Sequence, residues 1–158
     1  MANLLTTQIL ESGDRNAVVK IVGQLDTSDI VYDVPINPEF YDPNLGQLRV
    51  DIVDYIVEPG LTVKLWWDAA VPVLIETCSD SGKFNAIRFG GMQNNATDPT
   101  GSIGLSTEGW TVATTVGFTL TVKLVKQVNE VALAANSFLQ KEDSGLLLQE
   151  NGDKLILE

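Results

Sequence analysis

Thr115-Val116-Gly117-Phe118-Thr119-Leu120-Thr121-Val122-Lys123-Leu124-Val125 alternates without a break. Val116, Phe118, Leu120, Val122 and Leu124 fall on one side, and Thr115, Gly117, Thr119, Thr121 and Lys123 on the other. A period of two buries one face and wets the other, as a β-strand does and a helix does not. Leu61, Val63, Leu65 and Trp67 repeat the pattern against Thr62, Lys64, Trp66 and Asp68. Leu48, Val50 and Ile52 begin a third run, whose phase slips near Val53-Asp54 and so predicts a bulge or a strand end there. Ala17–Leu25 and Val71–Cys78 are more continuously apolar and read as central or doubly covered strands, with Pro72 near a strand start, where a missing donor is tolerated. Phe84–Phe89 and Ile103–Trp110 are weaker candidates, and Leu4–Leu10 reads as a strand or an arm.

These segments give about eight short strands divided by Gly, Asn, Asp and Pro. Apart from a turn near Glu130–Ala135, helical periodicity is missing. Many strands without intervening helices predict an all-β fold, an antiparallel β-sandwich or jelly roll. The expected organisation is a sandwich domain over 1–128, with an N-terminal arm and a Pro-rich loop at 26–47, then a short-stranded Leu-rich β-repeat tail over 129–158. The loop contains Tyr32, Pro35, Pro38, Phe40, Tyr41 and Pro43. A loop this long is uncommon in a compact domain, and two readings stand: an ordered excursion that touches a neighbouring subunit, or a long crossover between sheets. In the tail, Ser137-Phe138-Leu139-Gln140, Leu146-Leu147-Leu148-Gln149 and Leu155-Ile156-Leu157-Glu158 recur every nine residues, with the hairpin signal Asn151-Gly152 between the last two. Strands so short need partners, supplied by other subunits or another protein; the alternative is a frayed terminal extension.

Composition narrows the function. There are 21 acidic and 10 basic residues in 158, a formal net charge of -11, and no histidine. Such a surface repels phosphate backbones and anionic lipid, and no Lys/Arg stripe or RNA-binding aromatic motif is present; neither nucleic acid nor membrane is an expected partner. Without histidine there is no Ser–His–Asp or Cys–His site. Cys78, the one cysteine, excludes an internal disulfide and a Cys cluster for zinc, and reads as a packed thiol. Walker and G-x-G-x-x-G loops are absent. Among the carboxylates Asp51, Asp54, Glu58, Asp68 and Glu76, nothing pairs two across one cleft, as glycoside hydrolysis requires. Asn94, Asn95 and Asp98 offer oxygens to calcium but read more simply as turn formers. No catalytic residue, metal ligand or cofactor is therefore expected. Adjacent Trp66 and Trp67 point to opposite sides of a strand, one into the core and the other an interface anchor or, with Trp110, a sugar-stacking surface.

Several whole segments resemble the capsid decoration (cement) proteins of tailed bacteriophages. They are Asn3–Leu10, Arg15–Lys20, Leu25–Ser28, Leu65–Ala69, Gly90–Asn95 and Leu105–Trp110, within about residues 3 to 126. The tail departs from a minimal cement domain. The resemblance implies a non-enzymatic clamp, made in the host bacterial cytoplasm. Its place would be the outer surface of the capsid in the virion, bound to the major capsid protein; symmetry favours a closed homo-oligomer as well, a trimer in preference to a dimer. Interface candidates are Leu4, Leu5, Ile9, Tyr32, Phe40, Tyr41, Trp66, Phe138, Leu147 and Ile156. The alternative is a head-fibre or tail protein that binds host glycans, which would need Trp66 or Trp110 exposed in a groove.

Overall fold

The computed structural model describes residues 2–38 and 45–128. Nine strands follow in order: β1 (Leu4–Ser12), β2 (Asn16–Leu25), β3 (Asp33–Ile36), β4 (Leu45–Val57), β5 (Thr62–Ala69), β6 (Val73–Ser79), β7 (Ser81–Asn85), β8 (Pro99–Glu108) and β9 (Val116–Val128). They form two antiparallel sheets, one of five strands in the order β1-β2-β9-β4-β7 and one of four in the order β3-β8-β5-β6. The pairs β2·β9, β3·β8, β4·β7 and β5·β6 have a simple origin. They are the rungs of one long hairpin, with β2 to β5 in one arm and β6 to β9 in the other. Rolled up, that hairpin sets β9 beside β4 and β5 beside β8, which completes both sheets in the double Greek-key order of a jelly roll. β1 lies outside these eight as an added edge of the larger sheet.

The core is the space between the sheets, filled by the alternating residues of each strand. Phe118, Leu120, Val122 and Leu124 of β9 meet Val63, Leu65 and Trp67 of β5, and Trp67 is only 1% exposed. Truncating such a buried Trp to Ala costs about 3–5 kcal/mol. Three glycines inside the strands have a shared use. A Cβ on Gly23 would lie 2.2 Å from the ring of Phe118, one on Gly82 2.5 Å from the Tyr55 hydroxyl, and one on Gly104 2.3 Å from that of Tyr32. Each glycine is thus a bare patch of sheet onto which an aromatic ring folds, restoring the contact area that the missing side chain gives up.

The structure corrects or refines four expectations. Val71–Cys78 is neither central nor doubly covered: β6 is an edge strand, and Val71 and Leu74 are exposed while Ile75 and Cys78 are buried. Ala17–Leu25 is central, as one of its two readings has it, and is covered on one face alone, since Val22 on the other is exposed. The phase slip in β4 falls at Val50-Asp51, both buried, and the strand runs on to Val57. The stretch from Asp26 to Gln47 holds a strand, β3, which carries the chain from one sheet to the other. Leu4–Leu10 is a strand. The turn near Glu130–Ala135, the tail repeat, and Phe40, Tyr41, Phe138, Leu147 and Ile156 lie outside the described residues.

Candidate interaction surface

Between β7 and β8 the chain makes one turn of 3₁₀ helix, Ile87–Phe89. Four backbone N–H groups, of the turn and of the residues just after it, are bonded within the loop. Phe89 N–H and Gly91 N–H both donate to the Ala86 carbonyl at 2.9 Å, Gly90 N–H donates to Ile87 at 3.0 Å, and Ile87 N–H donates to Asn85 Oδ1 at 3.1 Å. Gly90 and Gly91 follow at φ of 83° and 84°, a left-handed region where a side chain is strained.

The turn is fixed to the sheet at the phase slip of β4. Val50 and Met92 exchange N–H···O=C bonds of 3.0 and 2.7 Å, and Ala86 N–H donates to the Asp51 carbonyl at 2.8 Å. Beneath Gly91, Arg49 donates Nε and one terminal nitrogen to Asp51 Oδ1, both at 2.9 Å. A Cβ on Gly91 would sit 2.3 Å from Arg49 Nε, so the loop closes over the ion pair only because residue 91 is glycine. On this rigid base Phe89 is 85% exposed and Ile87 48% exposed.

Strand directions sort the connections into two ends. At one lie residues 26–32, 58–61, 80 and 109–115, joined by Val57 N–H to the Asp80 carbonyl and Glu58 N–H to the Gly117 carbonyl. These connections carry Asp26, Asp29, Glu58 and Asp80 and no basic residue. Asp29 ties them together, accepting from Thr107 Oγ1 and Trp110 N–H at 3.1 Å and Gly109 N–H at 3.2 Å. At the other end lie the described residues 13–15, 37–38, 70–72 and 86–98, which carry Arg15 and Arg88 beside Asp14 and Asp98. Val71 of this end is exposed, as are Val31 and Val112 of the acidic end. Single exposed aliphatics are ordinary, whereas an exposed phenylalanine mounted on a hydrogen-bonded turn is the feature suited to docking.

The expected anchors are dispersed. Leu4 is 60% and Ile9 45% exposed on β1, and Leu5 packs against the core. Tyr32 donates its hydroxyl to Asp68 Oδ1 at 2.8 Å, while Thr100 Oγ1 donates to Oδ2 at 2.6 Å. Burial, then the bond and charge of Asp68, push the Tyr32 hydroxyl above its ordinary pKa. Trp66 is half-buried and donates Nε1 to Ser106 Oγ at 2.8 Å, and Trp110 donates Nε1 to the Thr114 carbonyl at 2.9 Å. Two shallow grooves of about 330 Å³ cross the outer face of the larger sheet beside Ile56, and no tryptophan lines either.

The remaining chemistry is structural. Asp54 pairs with Lys83 at 3.4 Å and Glu108 with Lys64 at 2.6 Å, exposed contacts worth at most about 1 kcal/mol each. Cys78 is fully buried, and burial followed by the charge of Glu76 pushes its thiol up to about 12. Asn94 Oδ1 accepts Ala96 N–H at 3.0 Å, the turn-forming role expected of it. Among the described residues no three acidic, Cys or His side chains are grouped to hold a metal. Phe89 was missed from sequence because Phe84–Phe89 read as one strand; the Gly90-Gly91 pair was the available sign that Phe89 stands on a turn.

No protein-family model and no curated protein matches the chain. Among solved structures, similarity is found to peruvianin-I, a cysteine peptidase from Thevetia peruviana latex, at a TM-score of 0.35 and 10% identity. The match covers 75% of this chain and 60% of that one, and likeness at this level carries no argument.

Proposed function

We propose that the protein is a capsid decoration protein of a tailed bacteriophage, a non-enzymatic clamp on the outer surface of the head that stabilises contacts between major capsid protein subunits. The segment resemblance supports the class. The observation that carries a docking role is Phe89, 85% exposed on a turn held by backbone hydrogen bonds from Ile87, Phe89, Gly90 and Gly91. Because the turn is already ordered, docking loses little conformational entropy. Burying one phenylalanine contributes about 1.5–3 kcal/mol, a modest gain that repetition over a lattice turns into firm attachment through avidity. The end that carries Phe89 faces the shell in this reading, and the end that carries Asp26, Asp29, Glu58 and Asp80 faces outward.

The test is co-sedimentation with heads purified from the same source and stripped of the protein. The expected result is saturable binding that Phe89→Ser abolishes and Val112→Ser, at the acidic end, leaves intact. Failure of the parent chain to bind heads, or binding indifferent to Phe89→Ser, overturns the reading.

A further inference from the structure

Each sheet of a sandwich has two open edges, and proteins guard such edges against other strands with short length, charge, proline or bulges. Three of the four edges here are guarded. β3 has four residues and contains Pro35; β7 has five and carries Lys83; β6 follows Pro72 and carries Glu76. β1 differs. It is nine residues long, Leu4 to Ile9 pair regularly with β2, and those six residues contain no charge in a chain of net charge -11. The irregularity at Leu10 and the only charge, Glu11, stand beyond that stretch.

From this we infer that β1 pairs antiparallel with β1 of a second copy, joining two five-stranded sheets into one of ten. A two-fold axis normal to the sheet keeps each face on its own side, so paired residues must share a face. Leu5, Thr7 and Ile9 share the inner face, because their partners on β2 are Gly23, Ile21 and Val19. Centring the axis on Thr7 sets Leu5 opposite Ile9 of the second copy, Thr6 opposite Gln8, and Thr7 opposite itself. Apolar then meets apolar and polar meets polar, the pairing that stabilises antiparallel neighbours. Centring on Thr6 would instead set Leu4 against Gln8 and Leu5 against Thr7. The chosen register covers Ile9, 45% exposed although it lies on the inner face. Such a contact is isologous and closes with two copies, a dimer and not the trimer expected from the sequence. The pairing does not depend on the capsid reading.

Light scattering on the full chain over a dilution series tests it. The expected mass at the concentrated end is twice the 17.1 kDa of one chain, with tighter association as salt screens the repulsion between two acidic molecules. Thr7→Lys sets two like charges face to face at the axis and loses the dimer, although it lowers the net negative charge; Thr6→Lys, opposite Gln8, retains it. Thr7→Cys, the on-axis position, oxidises to a covalent dimer, and Thr6→Cys does not. This second pair keeps the test sharp should a lysine disturb folding, which circular dichroism reports. A monomer at every concentration, or an oligomer unchanged by Thr7→Lys and uncrosslinked in Thr7→Cys, overturns the inference.

Discussion

Gly23→Ala tests how the sheets are packed. Gly23 of β2 lies directly across from Phe118 of β9, and the added methyl would stand 2.2 Å from Cε1 and Cζ of that ring. Phe118 is 3% exposed and held in the core cluster, so the ring cannot swing into solvent. Forcing a core side chain aside costs about 1–3 kcal/mol. Against this, replacing glycine removes freedom from the unfolded chain and contributes about 0.4–1 kcal/mol of stability. The clash wins, leaving a net loss of about 1–2 kcal/mol and a melting temperature lower by about 2–4 °C per kcal/mol. Urea unfolding of four chains measures it: parent, Gly23→Ala, Phe118→Leu and the double variant. Because the cost arises from one contact, the double variant should be more stable than the sum of the singles by at least about 0.5 kcal/mol. Gly13→Ala, whose nearest atom would be 3.9 Å away, is the control and should be neutral or slightly stabilising. A Gly23→Ala chain as stable as the parent, or strictly additive effects, would refute the close approach of ring and glycine.

Asp51→Ala takes the carboxylate from the partly exposed Arg49 guanidinium and should cost about 1.5–3 kcal/mol, the worth of a hydrogen bond to a charged group; denaturant unfolding reads the loss, and hydrogen exchange should accelerate at Ala86 and Met92. Cys78 should resist a thiol reagent at pH 8 in the folded protein and react fully in urea, since burial holds its thiol up at about 12. The same shift fixes a sign. The folded pKa lies above the ordinary 9.0, so the stability it contributes is complete below about 9 and is lost as the pH rises from there through about 12; Cys78→Ala should flatten that slope in urea titrations. Phe89→Ser should leave stability within about 0.5 kcal/mol of the parent, so any loss of head binding is a loss of contact and not of fold.

The fold was legible where burial is one-sided. β5 and β9 are read from alternation alone, because each has one face on the core and one in water. The segment Val71–Cys78 misled because apolar content does not distinguish an edge strand from a covered one; Glu76, within an otherwise apolar run, was the sign that β6 has a wet side. The β4 slip was placed three residues late, since Asp51 is charged and its burial depends on Arg49, a partner that periodicity does not count. Crossover β3 was hidden among prolines because four residues are too few to set a period. Surface features were the least legible. Tyr32 and Trp66 stood out by residue type, yet both spend their polar atoms within the chain, on Asp68 and Ser106. Phe89 owes its exposure to two glycines and a β4 contact that only the folded chain brings together.

The proposed role is tested most directly by the copy number of this chain relative to the major capsid protein, measured by quantitative mass spectrometry on purified particles from its source. A lattice-wide clamp requires a number comparable to that of the capsid protein. A handful of copies per particle would move the protein to a tail, fibre or connector position, and complete absence from particles would contradict the proposal.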